Sequence, residues 1–373
     1  MDSTGLLRRP PDASSALLGD NLSTFKAYIA SQQDDIACKS SILSLADELQ
    51  TMLLERGTGI PIFIGGIGDS GTRSLVDFFS AFNVSFGKTS HSRDSVAWMG
   101  IYDMVSCTEE NATSSVKVGD IYTTILAEHG VFGMEFNDHV RSKGAWFSGL
   151  QVMLRVLLQQ LRFSGDDAVM VALKQPRTTL LLPMLHKLFG DQLRYIHLLR
   201  DPRDLAGGTF DRFFRDVCKI FYTDALDNEQ CRGGVRNRLE FDARYDLEAM
   251  HWLTGHLNAN QYLAIRIEDL VSEDNVPCLH TLLDFAGREW PMLRVLPQTV
   301  QEQADNFISH RGSFGGRKFS PKERAEVNFG SLRRAKVLYA LRQFGYSMPR
   351  EQDLEANWET DGFCGQRMPA LHH

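Results

Sequence analysis

Several features that define whole classes of protein are absent from this chain of 373 residues. No apolar run approaches the roughly 18 residues that a membrane-spanning helix needs, so we expect no transmembrane segment. The N-terminus carries two arginines but no apolar stretch behind them, which argues against a secretory signal. Lysine and arginine number 40 against 47 aspartates and glutamates, a net charge of −7. A general nucleic-acid-binding protein usually has a strong basic excess, so we expect no nucleic-acid partner.

The six cysteines are scattered, without a C-x-x-C pair or metal-ligand spacing, so we expect no metal site. Reduced, mostly buried thiols are the simplest interpretation, although Cys218 and Cys231 could close a short loop in an oxidising compartment. Without a signal or a membrane anchor, a cytoplasmic protein is the default expectation. Sequons at Asn21, Asn83 and Asn111 keep the Golgi lumen as the alternative, for a chain trimmed from a longer one.

The composition is that of an ordinary globular protein, with 43% hydrophobic and 23% charged residues, and allows a large core. Short apolar runs alternate with segments of helical periodicity. Four strands are predicted: one that begins at Pro61 and runs into a glycine-rich turn, and three that cover 169–173, 193–199 and 262–267. The predicted helices cover 41–56, 72–82, 146–163, 180–189 and 278–286. This alternation predicts a three-layer α/β fold, in which helices flank a central parallel sheet.

One domain is expected to contain almost all of these elements, because no convincing linker or internal repeat interrupts them. Residues 1–20 are rich in Pro, Ser, Asp and Gly and are predicted to form a flexible leader. A single domain is predicted over 21–350, with a substrate-facing insertion near 88–143, followed by a C-terminal tail at 351–373.

A glycine-rich loop between the first predicted strand and helix is the first candidate site. A loop in this position presents backbone N–H groups to an anion, and the helix dipole adds a positive field. Gly66 and Gly71 have the glycine spacing of a Walker A loop, but Thr72 and Arg73 stand where that motif needs Lys followed by Ser or Thr. A glycine turn that binds no ligand remains open for this loop taken alone.

Two basic segments later in the chain are further candidates for anion binding. The strand that ends at Leu199 continues into Arg200-Asp-Pro-Arg-Asp204, which places two guanidinium groups at the carboxyl edge of the sheet, where open α/β sheets bind ligands. A turn held by Arg–Asp pairs is the alternative for at least one of these arginines. Residues 310–318, His-Arg-Gly-Ser-Phe-Gly-Gly-Arg-Lys, combine three glycines with four basic residues; a flexible basic loop is the alternative there.

These three segments, in this order, resemble the sulfotransferases that use 3′-phosphoadenosine 5′-phosphosulfate (PAPS), which have a P-loop-like fold. The 5′-phosphosulfate loop of that family resembles Ser70-Gly71-Thr72-Arg73, in a form most similar to the Golgi carbohydrate branch. Its 3′-phosphate motif matches 200–204, and its late basic–glycine loop matches 310–318. The resemblance implies a donor-binding set of Gly68, Asp69, Ser70, Gly71, Thr72, Arg73, Ser74, Arg200, Gly208, Thr209, Arg311, Gly312, Arg317 and Lys318.

Two more segments agree with the resemblance, which covers roughly 58–346. Leu173-Lys174-Gln-Pro-Arg177 resembles the family's Lys-x-Pro element, whose lysine faces the transferred sulfuryl group. Ile265-Arg-Ile-Glu-Asp-Leu270 resembles a strand end that has a structural role. Two positions depart from the pattern: Asp69 replaces the usual basic residue before Ser-Gly-Thr, and Gly208 replaces a common serine, with Thr209 beside it.

Sulfuryl transfer needs cations that stabilise the transferred group and a base that takes the acceptor's proton. Arg73 and Lys174 are the candidates for charge stabilisation, and no metal is expected. Asp94 and His91, in the region after the first helix, are candidate bases, and Glu135 is a rival. For each of these three, a solvated loop side chain is the alternative.

The resemblance therefore implies an enzyme that transfers a sulfuryl group from PAPS to a hydroxyl or amine of a carbohydrate or small molecule, and releases 3′,5′-ADP. Asp69 motivates an alternative, an impaired relative that still binds the nucleotide. The glycine spacing of the loop motivates a third, less favoured hypothesis, a P-loop kinase.

Overall fold

A five-stranded parallel sheet forms the centre of the protein. In this computed structural model the described residues are 14–31, 39–56, 59–68, 70–90, 93–95, 143–164, 170–206, 214, 217–218, 231, 234–287, 297–309 and 335–346. The strands are β1 (Ile62–Gly66), β2 (Val84–Ser85), β3 (Met170–Lys174), β4 (Arg194–Leu199) and β5 (Tyr262–Arg266). They lie in the order β2-β3-β1-β4-β5, and every neighbouring pair is parallel.

Helices connect the strands and pack on the sheet. They are α1 (Ser14–Ser31), α2 (Lys39–Arg56), α3 (Thr72–Ser80), α4 (Lys143–Phe163), α5 (Leu182–Phe189), α6 (Pro202–Ala206), α7 (Val235–His256), α8 (Ile267–Leu270), α9 (Val276–Gly287), α10 (Pro297–Ser309) and α11 (Ala335–Gln343). Two 3-10 segments, Pro176–Leu181 and Gly190–Gln192, flank α5.

Both faces of the sheet are covered, which confirms the predicted three-layer α/β fold. Phe63 of β1 points into an apolar cluster that includes residues of α2, α4 and α7, whereas its neighbour Ile64 points into a second cluster with residues of α3 and α9. Side chains of successive strand residues point to opposite faces, so a strand in this position is apolar throughout. All five residues of β1 and of β3 are buried accordingly.

The first helix corrects part of the predicted leader. Residues 14–20 belong to the segment predicted to be flexible, but they begin the 18-residue helix α1. Leu22, Phe25 and Ile29 of this helix recur at helical spacing and are almost completely buried. The Pro-, Ser-, Asp- and Gly-rich composition at the start of the chain gave no sign of this helix.

A disulfide bond joins Cys218 and Cys231, and Cys278 is also disulfide-bonded. The expectation of reduced thiols is therefore wrong for these three residues, and the loop-closing alternative holds for the first pair. The Cys218 side chain is completely buried in the main apolar cluster, so the bond ties that cluster to the residues before α7.

Replacing both Cys218 and Cys231 by serine should lower the free energy of unfolding by about 3 kcal/mol, the loop-closure value for a loop near 15 residues. The two residues are 13 positions apart in sequence, so the unfolded chain loses a short cross-link. The midpoint of chemical unfolding, compared with the wild type under non-reducing conditions, measures the change. An unchanged midpoint would show that the bond constrains nothing in the unfolded chain.

Among the described residues, no helix is both long enough and apolar enough to cross a membrane.

Candidate functional site

The carboxyl ends of β1, β3 and β4 bring together three of the segments identified in the sequence. After β1 the chain passes through α3 to β2 on one side of the sheet, whereas β4 leads to β5 on the other side. A crevice forms at the edge of an open sheet where connections diverge in this way. Ile64 of β1 is in register with Lys174, and Gly66 is in register with Leu198. The glycine loop, Lys174 and the Arg200 turn therefore leave the sheet at one edge.

Two glycines give the loop after β1 its shape. Gly66 has φ +138° and Gly71 has φ +97°, both conformations that side chains with a Cβ rarely adopt. A Cβ on Gly66 would lie 2.4 Å from the Leu198 carbonyl oxygen, so only glycine fits against β4 there. Gly71 precedes α3 and makes no side-chain cap for it. No side chain competes for the N-terminus of α3, although the Ser74 N–H donates to the Gly71 carbonyl oxygen at 3.0 Å, and a helix start of this kind can bind an anion.

Ser70 contributes the most informative polar atom of the loop. Its side chain is completely buried, and its Oγ has no hydrogen-bond partner among the described residues. The Ser70 backbone N–H donates to the Ile67 carbonyl oxygen at 3.2 Å, which closes the turn. A buried hydroxyl without a partner costs free energy, and an oxygen of a bound anion would satisfy it.

The other predicted loop residues differ in exposure. Gly68 and Thr72 are buried, Ser74 is half-buried and Arg73 is exposed at the start of α3. An exposed guanidinium at this position can reach an anion at the loop, provided that the side chain turns toward it.

Lys174 and Asp94, predicted separately, form an ion pair at the end of β3. The Lys174 Nζ lies 2.7 Å from the Asp94 Oδ1, and the two side chains are 3% and 17% exposed. Ser95 fixes this arrangement on both sides: its N–H donates to the Lys174 carbonyl oxygen at 2.9 Å, and its Oγ accepts from the Lys174 N–H at 3.1 Å. The structure therefore places a cation and a carboxylate together beside the glycine loop.

A tight turn carries Asp94 to this position. The Ser90 N–H donates to the Asp94 carbonyl oxygen at 2.8 Å, and the Asp94 N–H donates to the Ser90 Oγ at 3.2 Å. Arg93, at φ +59°, lies between them, and its Nε is 3.2 Å from the Asp77 Oδ1 of α3. Asp77 and Arg93 are both exposed, so the turn depends on backbone bonds more than on this pair.

The Arg200 turn follows β4, and its two arginines have different environments. Arg203 is almost completely buried and forms bonds from its guanidinium to the carboxylate of Asp201, including Nε to Oδ1 at 2.8 Å. The Arg–Asp alternative considered for one of the two arginines is therefore correct for Arg203. Arg200 itself is 7% exposed and directly follows β4 at the carboxyl edge of the sheet.

Carboxylates of the Arg200 turn and of α8 lie close together. Burial, followed by the negative charge of Asp201, raises the pKa of Glu268 to about 7. Burial and Asp201 likewise raise the pKa of Asp204 to about 6, against the opposing effect of Arg200 and Arg203. Two hydrogen-bond donors stabilise the ionised form of Glu268 against these effects. The Asp201 N–H donates to its Oε1 at 2.8 Å, and the Tyr346 hydroxyl donates to its Oε2 at 3.2 Å.

Arg266 has the structural role that the resemblance implied. Its guanidinium bonds the carboxylate of Asp269, with Nε to Oδ2 at 2.9 Å, and its Nη1 donates to the carbonyl oxygens of Phe344 and Gly345 at 3.2 and 2.9 Å. These bonds attach the residues after α11 to the end of β5.

A chain of buried polar side chains, which the sequence did not predict, lies under the same edge. Thr179 Oγ1 is 2.6 Å from Tyr195 Oη, which is 3.0 Å from His197 Nδ1, and His197 Nε2 is 3.1 Å from Asp246 Oδ1. Burial raises the pKa of Tyr195 well above its usual range and also raises that of Asp246. A Cβ on Gly65 would lie 2.4 Å from the Tyr195 hydroxyl, so this chain packs directly against β1.

Several predicted site residues lie outside the described residues: Asp69, His91, Glu135, Gly208, Thr209, Arg311, Gly312, Arg317 and Lys318. Their roles stay predictions. Within the described ranges, no group of three or more His, Cys, Asp or Glu side chains has an arrangement suited to a metal ion.

Comparisons with known proteins identify one family. The model of the sulfotransferase family matches residues 61–292, more than half of the chain. No curated protein sequence matches the chain. One similar solved structure is the sulfotransferase domain from the curacin biosynthetic pathway, with 17% identity, 78% of this chain and 99% of that chain covered, and a TM-score of 0.43. Another is sulfotransferase STF9 from Mycobacterium avium, with 12% identity, 82% and 90% covered, and a TM-score of 0.35.

Proposed function

The chain belongs to the sulfotransferase family, and we propose that it transfers a sulfuryl group from PAPS to a hydroxyl or amine of a carbohydrate or small molecule. The observation that carries the proposal is the placement of Lys174 beside the glycine loop, at neighbouring strand ends. The loop offers backbone N–H groups and the Ser70 hydroxyl to the 5′-phosphosulfate, and Arg200 offers a guanidinium to the 3′-phosphate.

In the proposed reaction, the acceptor oxygen or nitrogen attacks the sulfur in line with the bond to the leaving phosphate. The new bond to sulfur forms as the bond between sulfur and the bridging oxygen breaks, and 3′,5′-ADP leaves with that oxygen. Charge spreads over the sulfuryl oxygens, where Lys174 and Arg73 stabilise it. The acceptor's proton passes to a base, for which Asp94 is the described candidate.

The ion pair of Lys174 and Asp94 suits these two roles. Lys174 turns from the Asp94 carboxylate toward the sulfuryl group when the donor is bound, because that group carries the charge that develops during transfer. Asp94 then loses its cationic partner, and its carboxylate is available to the acceptor hydroxyl. Their separation of 2.7 Å supports the proposal that both groups act in the same reaction.

The disulfide bonds support the alternative compartment. Cys218–Cys231 and the bond of Cys278 would persist in an oxidising lumen, whereas cytosolic proteins rarely keep such bonds. We therefore favour the Golgi lumen, or another oxidising compartment, over the cytoplasmic default.

The donor assignment predicts a selective thermal shift. A saturating concentration of 3′,5′-ADP, about 100 times its dissociation constant, should stabilise the protein by about 2.7 kcal/mol and raise the unfolding midpoint by several degrees. ATP at the same concentration should produce a much smaller shift, because it lacks the 3′-phosphate that Arg200 is proposed to bind. Differential scanning fluorimetry of the purified chain gives both shifts.

Other outcomes separate the alternatives. A shift with ATP and magnesium alone would contradict the sulfotransferase proposal and favour the kinase hypothesis. A shift with 3′,5′-ADP, but no transfer from labelled PAPS to any member of an acceptor panel, would favour the impaired relative that Asp69 suggests. No shift with either nucleotide would contradict the donor pocket.

A further inference from the structure

Glu268 joins two segments that are far apart in the sequence. It is the second residue of α8, directly after β5, and is partly buried. Its Oε1 accepts the backbone N–H of Asp201 at 2.8 Å, and its Oε2 accepts the hydroxyl of Tyr346 at 3.2 Å. One carboxylate therefore connects the turn after β4 with the residues after α11.

On the side of the turn, Glu268 fixes the backbone immediately after Arg200. The Asp201 side chain is engaged by Arg203, which also donates its own backbone N–H to Asp201 Oδ1 at 2.9 Å. These bonds shape the turn from within. The bond from Asp201 N–H to Glu268 is different, because it holds the turn to α8, the helix directly after β5, and so sets the orientation of the turn relative to the sheet.

On the opposite side, the partner of Glu268 is itself well fixed. Tyr346 is 3% exposed, and the carbonyl groups of the two residues before it receive hydrogen bonds from Arg266. The Arg266 guanidinium also lies over the Tyr346 ring, 5.4 Å from its centroid. The carboxylate of Glu268 is thus attached to a rigid group and can act as an anchor for the turn.

Glu268 holds this position among like charges. Asp201 and Asp204 both disfavour its ionised form, whereas Arg266 lies near enough for attraction. The Glu268 carboxylate lies near two other carboxylates and makes two directed hydrogen bonds. This combination indicates that the position of the carboxylate matters for the structure around it.

We propose that Glu268 is a positioning residue for donor binding: through the Asp201 N–H it sets the direction in which Arg200 meets the 3′-phosphate. This inference rests on the proposed function of the Arg200 turn. It assigns no contact between Glu268 and the donor, which distinguishes it from the binding residues themselves.

The test compares 3′,5′-ADP with 5′-AMP, which lacks the 3′-phosphate. In Glu268→Ala the Asp201 N–H loses its hydrogen-bond acceptor and the turn loses its attachment to α8, so the affinity for 3′,5′-ADP should fall about tenfold. The affinity for 5′-AMP should stay nearly unchanged, and the ratio of the two affinities should therefore collapse. Isothermal titration calorimetry of the full chain gives both constants. A merely structural role would lower both affinities together and leave their ratio intact.

Three further variants complete the design. Glu268→Gln keeps an oxygen that accepts the Asp201 N–H, and should retain most of the wild-type ratio. Tyr346→Phe removes the bond to Oε2 but leaves the bond to Asp201, and should have an intermediate effect. Glu48→Ala, which removes an exposed carboxylate of α2 paired with Arg162, is the matched control and should not change the ratio.

The outcomes distinguish the inference from the function on which it rests. If the wild type shows no preference for 3′,5′-ADP over 5′-AMP, the proposed function of the turn fails. If the wild type shows that preference and Glu268→Ala keeps it, the proposal for Glu268 is overturned. If Glu268→Ala does not fold, a reduced ratio in Tyr346→Phe supports the proposal, and an unchanged ratio in Tyr346→Phe overturns it.

Discussion

Replacing Lys174 by methionine is expected to lower the rate of sulfuryl transfer by about 10²–10³-fold, the usual cost of removing one group that stabilises transition-state charge. Methionine retains an unbranched apolar chain, and the Lys174 side chain is only 3% exposed, so the packing at the end of β3 should be kept. Binding of 3′,5′-ADP should change little, because the product nucleotide lacks the sulfuryl group. Transfer from labelled PAPS to an acceptor found by screening, together with calorimetry of 3′,5′-ADP, measures the two effects.

The matched control for this variant is Lys187→Met. Lys187 is exposed on α5, where its Nζ lies 3.9 Å from the centroid of the Tyr28 ring, away from the strand ends. This control should transfer at nearly the wild-type rate. Equal loss of 3′,5′-ADP affinity and of transfer in Lys174→Met would contradict the assigned role, since it would show a general defect of the site.

Asp94→Asn completes the comparison by testing the base. The asparagine amide has nearly the same shape as the aspartate carboxylate but cannot take the acceptor's proton. If Asp94 is the base, the rate of sulfuryl transfer should therefore fall in this variant. If Asp94→Asn still transfers the sulfuryl group at the wild-type rate, His91 or Glu135 is the base. Replacing each of these residues in turn and measuring the transfer rate would then identify it. The ion pair with Lys174 would then serve to hold the lysine in place.

The sequence predicted the site best where chemistry lies directly at a strand end. Gly66 and Lys174 end strands and Arg200 directly follows one, and parallel strands deliver their carboxyl ends to one edge. The contact between Lys174 and Asp94 required the fold, because the two residues are 80 positions apart and no periodicity relates them. Strand β2, at 84–85, has only two residues, too few to show the alternation that identifies a strand.

Other parts of the fold escaped prediction for a different reason. His197 is completely buried in β4. Its hydrogen-bond partners are Tyr195 of the same strand and Asp246 of α7, and Thr179 bonds Tyr195 from the 3-10 segment before α5. Asp246 and Thr179 are distant from His197 in sequence, so local sequence carries no sign of these contacts. The helix predicted over 180–189 is a second example. In the structure a 3-10 segment, Pro176–Leu181, comes first and α5 begins at Leu182, a division that helical spacing does not reveal.

Replacing Gly66 by alanine should destabilise the protein by roughly 3 kcal/mol or more and abolish 3′,5′-ADP binding. Two costs add in this variant. A residue with a Cβ at φ +138° is strained by about 1–3 kcal/mol. The new methyl group would also lie 2.4 Å from the Leu198 carbonyl oxygen, and overpacking of this kind costs about 1–3 kcal/mol more. Because the obstacle is backbone of β4, the loop after β1 must move, and its N–H groups leave the positions that face the anion.

Two other glycines separate these costs. Gly234 has the same φ of +138°, but a Cβ there would meet no described atom within 4 Å, so Gly234→Ala measures the backbone strain alone. Gly255 lies in α7 with equally open space and a φ outside the left-handed region, and alanine there should stabilise the helix by up to about 1 kcal/mol. The thermal and chemical unfolding midpoints should therefore be highest for Gly255→Ala, lower for Gly234→Ala and lowest for Gly66→Ala. Equal destabilisation at Gly66 and Gly234 would show that the contact with β4 is relieved without cost, and close packing against Leu198 would then not be what requires glycine at position 66.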